Sequence, residues 1–354
     1  MGGSRHPSPQ PEKRDDNRTQ LIATGPVEGR SIAMTRSGRE EFMAPAGSPG
    51  ASSPAAIDPK PDTVTRLLQG AVDLHCHSGP SVMPRALDHL EAMQDAAQNG
   101  LRAVLIKDHY YLGTPMANML NKHFADLKVT VLSGVPLNNP SGGFNVYAVD
   151  HGLKLGAKLV WMPTFSARNH LAGAHRTDFP KPRMAMLAPA PLTALDERGA
   201  LREEVKPILD LIAEHDVVLS GGHLNIAEIF AVFEEAKRRG VRRLLVNHPT
   251  FLIGASHADI GHLVEMGAYI EHSISMFVPS SKGRIYEPKD LKALIDAGTV
   301  VRTILGSDLG QAGNCLPSVG FREVIRICLE LGYREADIRR MINDNPATLI
   351  GLDA

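Results

Sequence analysis

From residue 64 onward the chain alternates short, largely apolar runs with longer stretches whose apolar positions recur every three or four residues. The runs cover 71–74, 103–106, 129–132, 159–162, 217–219, 244–246, 268–270 and 301–305, eight in all. Runs this apolar and this short predict strands buried on both faces, as parallel sheets require. Between them, residues 84–99 place Ala86, Leu87, Leu90, Met93 and Ala97 on one face of a predicted helix, with Gly100 as its stop. Residues 226–239 predict another, closed by Gly240. Such alternation reads as βα units. Eight units in roughly 285 residues match the usual size of a (β/α)8 TIM-type barrel, so the expected fold class is α/β with that architecture. An open doubly wound sheet is the competitor, but no Gly-rich nucleotide fingerprint follows the first run.

Two connections, 164–201 and 273–288, are longer than a barrel needs. Both follow expected strands and therefore belong to the face where barrel enzymes carry their chemistry. Residues 1–60 differ from everything after them. They are dominated by Pro, Ser, Gly, Arg and acidic residues, with sparse and aperiodic apolar positions. This predicts a disordered extension over 1–60 ahead of a barrel domain over 61–354. Met34 and Met43 offer alternative starts within it.

A formal net charge of -1 gives no basic excess for nucleic acid or a membrane surface. No apolar run approaches the ~18 residues of a membrane span, and the first residues lack the pattern of a secretory signal. Cys76, Cys315 and Cys328 are too few and too unevenly placed for a disulfide framework. The expectation is a cytoplasmic protein acting on a small molecule, with the oligomeric state, a homo-oligomer included, left open.

Histidine is the unusual residue: 15 in the chain, against one Trp and six Tyr. The first run leads into Asp73-Leu74-His75-Cys76-His77, where strand alternation puts both imidazoles on one face and Cys76 on the other. The fifth run ends at His223, the sixth at Asn247-His248 and the eighth at Ser307-Asp308. Core packing selects apolar side chains, so four histidines and an aspartate just past four strands point to a bound cation. His75, His77, His223, His248 and Asp308 are the expected ligands. Neutral imidazoles with a carboxylate suit Zn2+, with Mn2+ or Fe2+ also compatible.

On these residues the chain resembles the amidohydrolase superfamily, over about residues 70–354. The resemblance rests on the H-x-H of the first strand, single histidines on the fifth and sixth, and the Ser-Asp of the eighth. The closing Asn345-Pro346-Ala347-Thr348-Leu349-Ile350-Gly351-Leu352 is similar to a segment that often ends these proteins. The resemblance implies a metal-dependent hydrolase that cleaves a C–N or C–O bond of an amide, cyclic amide or lactone by a metal-activated water. It implies Asp308 as the proton carrier and His248 or His223 as a metal ligand or carbonyl polariser. Non-oxidative decarboxylation is the alternative within the superfamily, and a non-enzymatic binding protein is the least favoured reading.

One departure affects metal number. Many binuclear members carry a carboxylated Lys at the end of strand four, whereas Lys158 stands here at that strand's beginning. The second run instead ends Lys107-Asp108-His109. A carboxylated Lys107 or a ligating His109 leaves one or two ions open, and a substrate contact is the other role for either. The Asp108-His109 pair is also similar to the polymerase-and-histidinol-phosphatase family, which makes phosphoester hydrolysis a minority alternative. Arg85, soon after His77, is a candidate contact for a substrate anion. Arg168, His170, His175 and Arg176 in the 164–201 connection are weaker candidates. Glu271-His272, at the end of the seventh run, is placed to orient a ligating imidazole.

Removing residues 1–60 is expected to leave the melting temperature and any activity nearly unchanged, because the segment has too little apolar surface to join a core. A melting temperature lowered by many degrees on truncation would show that the segment docks on the rest of the chain.

Overall fold

The apolar runs form nine parallel strand segments among the described residues: β1 (Val72–Cys76), β2 (Ala103–Ile106), β3 (Thr130–Leu132), β4 (Gly134–Pro136), β5 (Leu159–Trp161), β6 (Val218–Ser220), β7 (Arg243–Asn247), β8 (Tyr269–Ser273) and β9 (Thr303–Gly306). In this computed structural model β1, β2 and β3 form one sheet in that order, and β4 to β9 form a second. Every neighbouring pair is parallel. The described residues are 62–173 and 181–352. They lie in the compact unit Pro59–Ala354, and the expected extension over residues 1–60 lies outside them.

The expected third strand is longer than its apolar run suggested. β3 and β4 follow one another with only Ser133 between, and its hydroxyl donates to the carbonyl of Ile106 at 2.9 Å. This side-chain bond takes the place of a ladder bond and divides the strand. At the other edge, Cys76 bridges Leu309 in parallel. The His77 amide donates to the Leu309 carbonyl at 2.8 Å, and the Asp308 amide to the His75 carbonyl at 2.7 Å.

The helix expected over 84–99 starts five residues later, at His89–Gln98. Asp88 caps it, accepting from the Glu91 amide, while the Glu91 side chain returns to the Asp88 amide. Residues 84–86 instead pair with the segment after β9: the Ala86 amide donates to Gly310, and the Ala312 amide to Pro84. The helix at Ile226–Arg238 begins with the same device, built from Asn225 and Glu228. Here the sequence pattern and the structure agree.

Alternate strand residues divide between two apolar clusters. Val104, Ile106, Val160, Leu219, Leu244, Val246, Ile270 and Leu305 pack with the helices. Leu74, Leu105, Leu132, Trp161, Val218, Leu245 and Ile304 form a second cluster, with Ala347, Leu349 and Ile350 of the last helix, Asn345–Ile350. Both sheets contribute to this second cluster, so each turns a face to the same core. Along that face the character changes toward the strands' C-terminal ends, where Lys107, Ser220, Asn247 and Glu271 are buried. Buried polar groups must be paired to be tolerated, so this end of the core is organised by hydrogen bonds. No helix among the described residues is long and apolar enough to cross a membrane.

Gly310 shows how closely the elements meet. Its φ is +109°, and a Cβ there would lie 2.3 Å from the backbone oxygen of His77. Gly310→Ala is expected to destabilise the protein by about 2–4 kcal/mol through strain and clash. Chemical denaturation checks this; a loss below about 0.5 kcal/mol would show that the segment after β9 does not rest on β1.

Candidate metal centre

The site grows from β1. An irregularity in the β1–β2 pairing between Asp73 and Cys76 breaks strict alternation: Leu74 packs in the smaller cluster and Cys76 in the helix-facing one. Burial raises the Cys76 thiol's pKa far above its ordinary value, and Cys76 takes no part in the cavity. Asp73, which carried no sequence signal, is fully buried and accepts from the amides of His75 and Ser307 at 3.0 and 2.9 Å. It ties β1 to the end of β9 directly beneath the histidines.

His75 Nδ1 lies 2.6 Å from Glu271 Oε1. Burial works to raise the Glu271 pKa, but His75 beside it holds the carboxyl below its ordinary value. The carboxylate therefore accepts, and Nδ1 carries the proton. His75 Nε2 then presents a lone pair, consistent with the Lys107 ammonium 3.0 Å away. His77 Nδ1 lies 3.2 Å from the Lys107 carbonyl, which can only accept, so its Nε2 also presents a lone pair. Burial lowers the His77 pKa to about 3, leaving the ring neutral at pH 7.

Both lone pairs converge on Asp308. Its Oδ1 lies 3.3 Å from His75 Nε2 and 3.0 Å from His77 Nε2. Burial works to raise the Asp308 pKa, but positive charge gathered at His75 and His77 outweighs it and holds the carboxyl well below its ordinary value, so it is ionised. Two nitrogen lone pairs and a carboxylate at such separations repel unless positive charge lies between them. The three donor atoms lie within 4.8 Å of one another, and roughly 3.4 Å is the spacing that metal–ligand bonds of ~2.0–2.1 Å give in a tetrahedron. The residues fit a divalent cation.

The other expected residues line the same cavity, of about 390 Å³. Arg85, Lys107, His109, His223 and His248 all reach it. His248 and Asp308 adopt left-handed backbone conformations, φ 34° and 48°, which cost non-glycine residues about 1–2 kcal/mol and mark positions held by their surroundings. His248 Nδ1 is buried without a partner, and its ring centroid is 6.0 Å from that of His75. His223 instead meets His170, Nδ1 to Nδ1 at 2.9 Å. Neither His223 nor His248 joins the tight donor set of His75, His77 and Asp308.

Lys107 is fully buried, 5.5 Å from the Trp161 ring centroid, and burial lowers its pKa to about 8. His109 is held by Thr164 Oγ1 at 2.8 Å and stacks on Phe165 with centroids 3.8 Å apart. Asn138 braces this wall, donating to Thr164 Oγ1 and to the His109 carbonyl at 2.6 and 2.9 Å. Asn138 and Phe165 stand in no motif, and the signal they carry is position alone, just past β4 and β5. Lys158 is exposed and away from the cavity, in keeping with its place before β5. Of the weaker candidates, His175 and Arg176 lie outside the described residues.

A family model described as a family of unknown function (DUF6282) matches residues 70–271. The chain belongs to that family. The matched span holds every histidine of the cavity and Glu271, whereas Asp308 lies beyond it. No curated protein matches the sequence. Among solved structures, an amidohydrolase from Pseudomonas aeruginosa aligns at 11% identity over 81% of this chain and 97% of its own, with a TM-score of 0.56. A probable dipeptidase from the same organism aligns at 11% identity over 81% and 96%, with a TM-score of 0.57. An amidohydrolase from Burkholderia multivorans with bound zinc aligns at 12% identity over 79% and 99%, with a TM-score of 0.51. The fold is thus that of amidohydrolase-superfamily structures, and at these identities the likeness is one of fold.

Burial makes the histidines acid-sensitive. It lowers the pKa of His77 to about 3 and those of His89, His170, His248 and His272 to about 4. The unfolded chain protonates near the ordinary value of 6.5 and so binds more protons below it, which makes stability fall as pH drops from 6.5 toward 4. Urea midpoints of metal-free protein at pH 7.5, 6.5 and 5.5 are expected to fall modestly over the first step and about three times as far over the second. A constant midpoint at all three would show the histidines to be solvated.

Proposed function

We propose that this protein is a metal-dependent hydrolase, built on a (β/α)8 barrel, that cleaves a C–N or C–O bond in a small organic molecule. The observation that carries the reading is the convergence of His75 Nε2, His77 Nε2 and the Asp308 carboxylate within one small donor set. The barrel reading is supported by β3 and β4 acting as one divided strand, which makes eight, and by the bonds between β1 and the residues after β9.

His75, His77 and Asp308 would hold the ion, with His248 and His223 within the same cavity to complete its shell. Zn2+ is the ion we favour, since its usual ligands are imidazole nitrogen and carboxylate oxygen. When bound, such an ion supplies Lewis acidity and brings the pKa of a water toward ~7. The protein's own groups do the rest. Glu271 fixes the His75 tautomer and orientation. Asp308, ionised and open to the cavity, takes a proton from water and returns it to the leaving group. His248, kept neutral by burial, would serve either as a ligand of the ion or as the group that polarises the carbonyl under attack. Lys107 and His109 sit beside the reacting position as substrate contacts. The aromatic wall of Phe165 and Phe251 limits water around the substrate. Decarboxylation uses the same ion-binding groups but no transfer of water to product, and product analysis separates the two.

The test is metal content of protein purified without added metal, followed by turnover on a panel of amides, cyclic amides and lactones. His75→Ala and His77→Ala are expected to lose metal and turnover together. Asp308→Asn should fold, keep part of its metal and lose about 100- to 10,000-fold in rate. Metal-free wild-type protein, or a loaded and folded Asp308→Asn with full turnover, would overturn the reading. Release of CO2 without hydrolysis would replace it with decarboxylation.

A further inference from the structure

Away from the histidines, the cavity wall carries one sign of charge. Its cationic side chains are Arg85, Lys107, Lys181 and Lys282, and its single carboxylate is Asp308. Lys107 and Asp308 belong to the cluster around His75. Arg85 and Lys282 come from other parts of the chain and flank the segment that follows Asp308.

That segment holds the two cations on its two sides. Arg85 pairs antiparallel with Gln311. The Lys282 amide donates to Asn314 Oδ1 at 2.9 Å, Asn314 Nδ2 to Gln311 Oε1 at 3.0 Å, and Gln311 Nε2 to the Asp308 carbonyl at 2.9 Å. A continuous set of hydrogen bonds therefore runs from Asp308 to Lys282. Gly313 leaves room for the ammonium: a Cβ there would lie 2.6 Å from Lys282 Nζ.

Among the described residues no carboxylate partners Lys181 or Lys282. The Arg85 side chain, 6% exposed, is ion-paired with buried Asp108 through Nη2 at 3.5 Å, while its Nε is buried without a partner, so the guanidinium is only partly engaged. Structural cations usually find a carboxylate, whereas unneutralised cations facing a low-dielectric cleft attract an anion into it. Beside them Met83, Met276 and Ile285 give the cavity an apolar side.

Building on the proposed hydrolase, we infer that the substrate carries an anionic group, which Arg85 and Lys282 hold, joined through an apolar body to the bond over His75 and His77. Arg85 supplies a planar fork for a carboxylate or phosphoryl oxygen pair, and Lys282 a mobile second charge. The anion sets which end of the substrate enters first and so presents one bond to Asp308.

The test is calorimetric titration of the full chain as purified, with metal content measured on the same sample. The probes are 3-phenylpropanoate, its uncharged amide 3-phenylpropanamide, and phenyl phosphate. The acid is expected to bind at least about tenfold more tightly than the amide, with a preference that weakens as salt rises. Tighter binding of phenyl phosphate than of the acid would assign the subsite to phosphoryl groups, the reverse to carboxylates. Arg85→Gln should lower affinity for the acid by about tenfold or more, and Lys282→Gln by about three- to fivefold, with the amide unaffected. Lys282 is exposed, so its variant reports even if Arg85→Gln folds poorly. Equal affinity for acid and amide, or a preference that survives both substitutions, would overturn the inference. A metal-free sample that still prefers the acid would sink the hydrolase and leave the anion subsite standing. A metal-loaded sample with no preference would do the opposite.

Discussion

The 2.6 Å contact between His75 Nδ1 and Glu271 Oε1 is the interaction on which the rest of the site depends. It spans β1 and β8, and it decides which nitrogen of His75 is protonated. With that proton committed, His75 Nε2 faces Asp308 with a lone pair, as does His77 Nε2, whose own proton goes to the Lys107 carbonyl. A buried carboxylate against two lone pairs is unfavourable alone and becomes favourable with a cation. With the Lys107 ammonium already 3.0 Å from His75 Nε2, the arrangement suits further positive charge among its three donor atoms.

Holding it requires the fold to commit backbone as well as side chains. Gly306 on β9 has no side chain where a Cβ would come within 2.7 Å of Glu271 Cδ, so the carboxylate can lie under His75. The Asp308 and Ser307 amides bind β1 through the His75 carbonyl and Asp73 Oδ1. The strained φ at Asp308 is sustained by these bonds, as strain at such sites generally is. Burial of His77, His109, His170, His223 and His248 around one cavity costs stability at acid pH, and keeps these rings neutral at the pH where ligands or hydrogen-bond donors are needed.

The same segment that closes over β1 reaches outward to Gln311 and Asn314 and positions Lys282. The ion-binding floor and the cationic mouth therefore share one piece of backbone. A change at Gly310 or Gly313 would move both together. If the proposed function and the anion subsite both hold, this coupling would let the floor act on a bond while the mouth binds a charge on the same molecule.

Much of this was legible along the chain. Apolar runs of four residues flanked by polar strand ends mark buried parallel strands, and the i, i+2 spacing at the end of β1 sets His75 and His77 on one side, although alternation is broken just before them. That Asp308, His223 and His248 reach one cavity follows from strand ends gathering on one face. The sequence could not rank them. Only the tertiary structure puts Asp308 within 3.3 Å of both β1 imidazoles while pairing His223 with His170, because separations across a sheet depend on register and strand tilt. It also decided that the helix expected from residue 84 starts at His89, since Asp88 caps it and Arg85 is drawn off to Gln311. Asp73 and Lys282 gave no signal, for a shared reason. Their partners lie 234 and 32 residues away, and a hydrogen bond between distant segments leaves no periodicity in either one.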